Sequence, residues 1–167
     1  AKSLGLYVFC NLMKTYAISK IQLVERCDGL IKSGADCLYI VDSAGGMIPS
    51  QVTDYIKAVK SFYDISIGFH GHNNLSMANA NSLAAIEAGA TYIDGSLSGL
   101  GAGAGNTSTE NLIAVLNRMN IEHNTDLYTT MDASTKGLMP ILESKGLKPH
   151  SNLDAMIMGY AGVYSSF

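Results

Sequence analysis

The stretch CLYIVDSAGGMIPSQVTDYIKAVKSF (37–62) sets the fold class. Its first five residues are apolar without alternation, as in a strand buried on both faces. Asp42-Ser-Ala-Gly-Gly46 is a turn, and Pro49 suits a first helical turn. Val52, Tyr55, Ile56, Val59 and Phe62 then recur at helical spacing and predict one apolar face. The unit is therefore strand, turn, amphipathic helix.

The same unit recurs on both sides. Upstream, Leu4 to Cys10 predicts a strand. A helix follows over Ile18–Ser33, with Ile18, Ile21, Val24, Leu30 and Ile31 on one side and Gly34 as its stop. Downstream, Ile65 to His70 predicts a strand and Leu75 to Ala88 a helix closed by Gly89. A fourth strand, Tyr92 to Leu97, leads through the glycine-rich loop Gly99–Gly105 to a helix over Ser108–Met119. Thr107 and Glu110 are spaced as a capping box at that helix start. Alternation at this spacing implies right-handed crossovers and a parallel sheet. Past residue 120 the pattern weakens: helices are expected over Asp126–Lys136, Met139–Lys145 and Asn152–Ser165.

Composition excludes several classes. With 47% hydrophobic and 15% charged residues the chain can bury a core and carries little sign of disorder. A net charge of −3 without a basic stripe argues against nucleic acid. No apolar run reaches membrane-spanning length, and no signal peptide is visible. Cys10, Cys27 and Cys37 fit neither a metal clip nor a disulfide framework. Reduced thiols, buried at Cys10 and Cys37, are the expectation and point to the cytoplasm. A first residue other than Met and a close at Tyr-Ser-Ser-Phe suggest a piece of a longer protein.

Parallel α/β sheets place function at the carboxyl ends of their strands. Asn11, Asp42 with Ser43, His70 to Asn74 and Asp94 to Asn106 all fall there. His70 and His72, two apart on a strand end, point the same way about 7 Å apart. They form either two ligands of one divalent cation or a hydrogen-bonded pair. A metal shell needs further oxygen donors, and Asp42 and Asn106 are the local candidates. The loop Gly99–Gly105 opens onto a helix N-terminus and is either an anion cradle or a tight packing turn. It lacks the P-loop pattern. Tyr160 and Tyr164 share a helical face, either as core or interface residues or with an acid/base role for whichever one reaches a metal. His123 and His150 read as surface residues.

Together, VDSAGG (41–46), GFHGHNNLS (68–76), DGSLSGLGAGAGN (94–106) and GYAGVYSSF (159–167) resemble the 4-hydroxy-2-oxovalerate (4-hydroxy-2-oxoacid) aldolases. These belong to the superfamily of 3-hydroxy-3-methylglutaryl-CoA lyase and 2-isopropylmalate synthase. The resemblance spans nearly the whole chain. It implies a (β/α)8 TIM barrel in which residues 1–167 supply strands five to eight. It implies a divalent metal, usually Mn2+ with Mg2+ or Co2+ as alternatives, held by His70 and His72. Asn106 matches a metal-ligating asparagine of the related lyases, Ser43 a residue contacting the keto-acid, and Tyr164 a tyrosine near the catalytic centre. The substrate implied is a 4-hydroxy-2-oxoacid, bound through the metal at His70 and split to pyruvate and an aldehyde.

The family's carboxylate ligand, its arginine and its catalytic histidine lie at the first barrel strand and are not in this sequence. Its C-terminal helical region, which docks an acylating aldehyde dehydrogenase, is expected to follow Phe167, and an oligomer is expected. The glycine loop lacks the catalytic cysteine of the CoA-thioester lyases, which counts against that activity. The rival readings are a Claisen-type acyl-CoA condensing enzyme and a half-barrel inactive without a partner.

Overall fold

The computed structural model describes residues 1–148 and 160–163. Four strands form one parallel sheet: β1 (Phe9–Leu12), β2 (Cys37–Asp42), β3 (Ser66–Gly71) and β4 (Tyr92–Ile93), in the order β1-β2-β3-β4. Between and after them run α1 (Lys20–Lys32), α2 (Pro49–Lys60), α3 (Ala78–Glu87) and α4 (Thr109–Arg118). The strand order never reverses, unlike that of a doubly wound sheet with its switch point.

The two faces of the sheet differ. Leu38 and Ile40 of β2, with Ile67 and Phe69 of β3, pack into one core with Leu23 and Cys27 of α1, Val52, Ile56 and Val59 of α2, and Ala85 of α3. Full burial of each large aliphatic or aromatic side chain there contributes roughly 1.5–3 kcal/mol. Cys37, Tyr39 and Val41 point the other way and form a separate cluster. On that face Phe9 meets Tyr7, Tyr39 and Tyr92 at ring-centroid distances of 5.1, 5.9 and 5.1 Å. Phe9 and Tyr92 are nevertheless 45% and 38% exposed. The helices thus cover one face, and an aromatic cluster occupies the other. Burial on both sides explains why β2 reads as an unbroken apolar run.

Several boundaries differ from the sequence reading. The first strand starts at Phe9, not Leu4, because Lys2–Leu4 make a 3-10 turn ending at Gly5 (φ 73°). The α1 face is rotated: a capping box of Ser19 and Gln22 starts the helix at Lys20. Leu23 and Cys27 are then buried while Ile21 is exposed. Phe62 lies past the end of α2 and is exposed. Helix α3 begins at Ala78, where Asn73 Oδ1 accepts the Ala78 N–H after a left-handed turn at Ser76. Strand β4 is only two residues long. Beyond α4, α5 (Leu127–Asp132), a π-helical segment (Ala133–Leu138) and α6 (Met139–Ser144) make one continuous helical run. Most of the helix expected over 152–165 lies outside the described residues, as does His150. Cys27 and Cys37 are buried, whereas Cys10 is half-buried, and all three are free thiols. Among the described residues no helix is long and apolar enough to cross a membrane.

Candidate metal centre

The parallel register brings the polar strand ends together. Val41 pairs with His70 and Asp42 with Gly71, and Phe69 pairs with Ile93. His70 and Asp94 are therefore next in line at the carboxyl ends of β3 and β4, and His70 Nδ1 lies 3.0 Å from Asp94 Oδ2. The Tyr39 hydroxyl also stands close enough to favour the charged form of Asp94. Tyr39 reaches across β3 because its partner there is Gly68, where a methyl group would run into the Tyr39 ring. The His70 hydrogen bond, with further help from Tyr39, holds the Asp94 carboxyl below its ordinary range against the opposing effect of burial. Burial, followed by the neighbouring Asp94, pushes the Tyr39 phenol up.

This geometry fixes the tautomer of His70. With Nδ1–H donated to a carboxylate, Nε2 presents its lone pair, the usual arrangement behind a metal-bound imidazole. His72 lies beside it, with ring centroids 5.2 Å apart and planes at 65°. It is buried, and desolvation, then the neighbouring His70, pushes its pKa down despite a hydrogen bond to the backbone of Ala102. A neutral imidazole is the ligand form.

Asn106 joins through the backbone. Residues 105–107 run antiparallel to 71–73: Asn73 N–H donates to Gly105 O (2.8 Å), Thr107 N–H to Gly71 O (3.1 Å), and His72 and Asn106 face each other as a bridge pair. Directly opposed residues put their side chains on the same side. Asn106 Oδ1 is buried and accepts no hydrogen bond among the described residues. Such an orphaned acceptor calls for an explanation, and a cation is one. Two imidazoles and an amide oxygen fit a divalent ion. Among the described residues no three His, Cys, Asp or Glu side chains converge, so any further anionic ligand must come from elsewhere.

Asp42 is not that ligand. Its carboxylate is fully buried and accepts the N–H groups of Gly46 (3.1 Å) and Met47 (2.9 Å), which ties the 42–47 turn. Desolvation raises its pKa, opposed by those and neighbouring backbone bonds. The turn brings Gly45, at φ 60°, onto the His72–Asn74 backbone, and Leu75 N–H donates to Gly45 O (2.9 Å). Ser43 is also fully buried, and its Oγ accepts the Lys14 N–H (3.0 Å).

The glycine loop behaves as a packing turn. The N–H groups of Gly99, Leu100, Ala104, Gly105 and Asn106 all bond to acceptors within the protein. Thr107 is not the cap of α4. It is buried, 2.8 Å from Ser82 Oγ, and Ser108 caps the helix by accepting the Asn111 N–H. A cleft of about 590 Å3 beside this loop is lined by Asn79, Ser98, Asn106, Glu110, Ser134 and Met139, and not by the two histidines. Tyr160 is 81% exposed, and Tyr164 lies outside the described residues. Asp94 escaped the reading of individual residues. Its signal was positional: it follows β4 just as His70 ends β3.

The HMGL-like family profile matches residues 1–136. A curated 4-hydroxy-2-oxovalerate aldolase of Geobacillus thermodenitrificans (strain NG80-2) is 51% identical over 167 residues, which is 100% of this chain and 48% of the relative. The chain thus spans about half the length of the curated relatives it matches. Among solved structures, the N-terminal domain of a putative aldolase from Bacteroides vulgatus superposes with a TM-score of 0.82 at 32% identity, over 98% of this chain and 53% of that one. An HMG-CoA lyase of Bacillus subtilis superposes with a TM-score of 0.78 at 26% identity, over 94% of this chain and 55% of that one.

Proposed function

The chain belongs to the HMGL-like family, and on that premise we propose that it is the metal-binding half of a (β/α)8-barrel aldolase. The complete protein would cleave a 4-hydroxy-2-oxoacid to pyruvate and an aldehyde. The observation that carries the reading is the His70–Asp94 pair with His72 alongside and the unsatisfied Asn106 Oδ1 opposite. The unreversed strand order, the single helix-covered face and the half-exposed aromatic face support four units of eight, strands five to eight. The relatives' name, 4-hydroxy-2-oxovalerate aldolase, supports the reaction class.

In this reading His70, His72 and Asn106 hold the cation. Asp94 keeps the His70 lone pair aimed, and Tyr39 in turn restrains Asp94. A divalent ion held there, Mn2+ in the resemblance drawn from the sequence, would supply Lewis-acid stabilisation of the charge that develops on the 2-oxoacid. The 4-hydroxyl loses its proton, the C3–C4 bond breaks to release the aldehyde, and C3 takes up a proton to give pyruvate. The base for the first step belongs to the other half of the barrel. Tyr164 is the group assigned to proton transfer at C3. Direct contact of Ser43 with the keto-acid would require the Lys14 turn to open. Otherwise the Ser43 hydroxyl serves to seat that turn. Docking of an acylating aldehyde dehydrogenase on the family's C-terminal helical region, a part of the complete protein distinct from α5 and α6, completes the proposal. The test is pyruvate release from 4-hydroxy-2-oxovalerate by the complete, metal-stripped protein. Release that appears on adding Mn2+ is expected. A folded protein that releases none with any divalent ion would end this reading.

A further inference from the structure

Ser98 occupies the left-handed region at φ 53°, ψ 20°, at the head of the loop that ends in Asn106. A residue with a side chain stays there only when its surroundings hold it. What holds it is one carboxylate. The Ser98 N–H donates to both oxygens of Glu110, at 2.8 and 3.1 Å. The Ser108 hydroxyl, at the cap of α4, donates to Glu110 Oε2 at 2.9 Å. Ser134, from the π-helical segment, stands close enough to favour the charged form of Glu110. Ser134 is buried and lies 2.5 Å, Oγ to Oγ, from Ser98. Burial pushes the Glu110 carboxyl up, but these bonds together outweigh it and hold the carboxyl below its ordinary range.

Three segments therefore meet at one side chain: the head of the glycine loop, the start of α4 and the π turn. The tail of the loop is tied to the head. Asn106 N–H donates to Gly99 O at 2.9 Å, and Ser96 N–H donates to Thr107 O at 3.0 Å. A shift at Ser98 passes through Gly99 to Asn106, and so to the bridge with His72. π-Helical turns inside helices recur at functional sites, and here the turn delivers a buried hydroxyl to the loop beside the histidines.

We propose that Glu110 is a positioning residue for the metal site: by gathering Ser98, Ser108 and Ser134 it fixes the loop that presents Asn106 beside His72. This rests on the reading of Asn106 as a ligand. The experiment uses the complete protein and its Glu110→Ala, Glu110→Gln and Ser134→Ala variants. It has two readouts: amide hydrogen exchange across residues 98–106 without metal, and Mn2+ affinity by titration calorimetry. Glu110→Ala is expected to speed exchange by about tenfold or more, as loss of hydrogen bonds to a charged acceptor implies. It should weaken Mn2+ binding by about tenfold, the low end for outer-shell changes. Glu110→Gln keeps an acceptor for Ser98 and should recover most of both.

Ser134→Ala removes a single hydroxyl and should move both readouts in the same direction, by about threefold. If Glu110→Ala does not fold, Ser134→Ala decides alone. Unchanged exchange, or faster exchange with unchanged Mn2+ affinity, overturns the proposal. Failure of the underlying reading is separate: it appears as absent Mn2+ binding in the parent protein, or as binding that survives Asn106→Ala.

Discussion

Replacing Gly45 by alanine tests how the 42–47 turn seats the histidine segment. A Cβ at this position would stand 2.6 Å from Asn74 N and 2.9 and 3.0 Å from His72 C and O. All three are backbone atoms, so no side chain can swing away. Relief requires the turn or the 72–74 backbone to move by several tenths of an ångström. That backbone is pinned by Asn73 N–H to Gly105 O (2.8 Å) and Leu75 N–H to Gly45 O (2.9 Å). The left-handed conformation costs alanine about 1–2 kcal/mol. The overpacking adds about 1–3 kcal/mol, and the stiffer unfolded chain returns about 0.4–1 kcal/mol. The balance is a loss of about 1–4.6 kcal/mol, centred on roughly 3 kcal/mol, read by urea denaturation of the complete protein. Gly29 is the control. It lies in α1 with no atom within 4 Å of its added Cβ. There alanine should stabilise by about 0.5–1 kcal/mol. If Gly45→Ala loses less than about 1 kcal/mol, within the cost of the left-handed backbone alone, the 42–47 turn does not press on the His72 backbone as argued.

Asp94→Asn should weaken Mn2+ binding by about 10–100-fold, because it removes the carboxylate that aims His70. Calorimetry on the complete protein checks this, and an unchanged affinity would detach Asp94 from the site. Cys27 and Cys37 are pushed up to about 11 by burial, so both stay thiols at pH 8. Native iodoacetamide treatment followed by peptide mass spectrometry should leave them unlabelled, and labelling of either before unfolding would refute their burial. Glu110, with its folded pKa lowered, contributes stability that is present above the ~4.3 of a free glutamate and lost as pH falls through its folded value. Acid titration of unfolding should therefore be shallower in Glu110→Gln than in the parent at about pH 3–5; equal slopes would count against it.

The strand–helix alternation and the gathering of polar residues at the strand ends were legible because burial on both faces leaves unbroken apolar runs, as in β2. The histidine pair was legible because residues two apart on a strand share a face. Other features were not. The buried stripe of α1 depends on where Ser19 starts the helix, and Ile21 looks as apolar as Leu23 until that start is known. Asp94 meets His70 only through the register of β3 on β4, which no local period encodes. Asp42 sits at a strand end as a ligand would, but its carboxylate is consumed by the turn it closes. Thr107 fits the capping pattern, yet the antiparallel bridge of 105–107 onto 71–73 draws it inward and leaves the cap to Ser108.

The central claim is that His70 and His72 hold a divalent cation. It is tested most directly by titrating Mn2+ into the metal-stripped complete protein, alongside its His70→Ala and His72→Ala variants with folding checked by circular dichroism. The account predicts one site per chain in the parent and loss of that site in both variants. Binding of equal affinity and stoichiometry in all three folded proteins would contradict it.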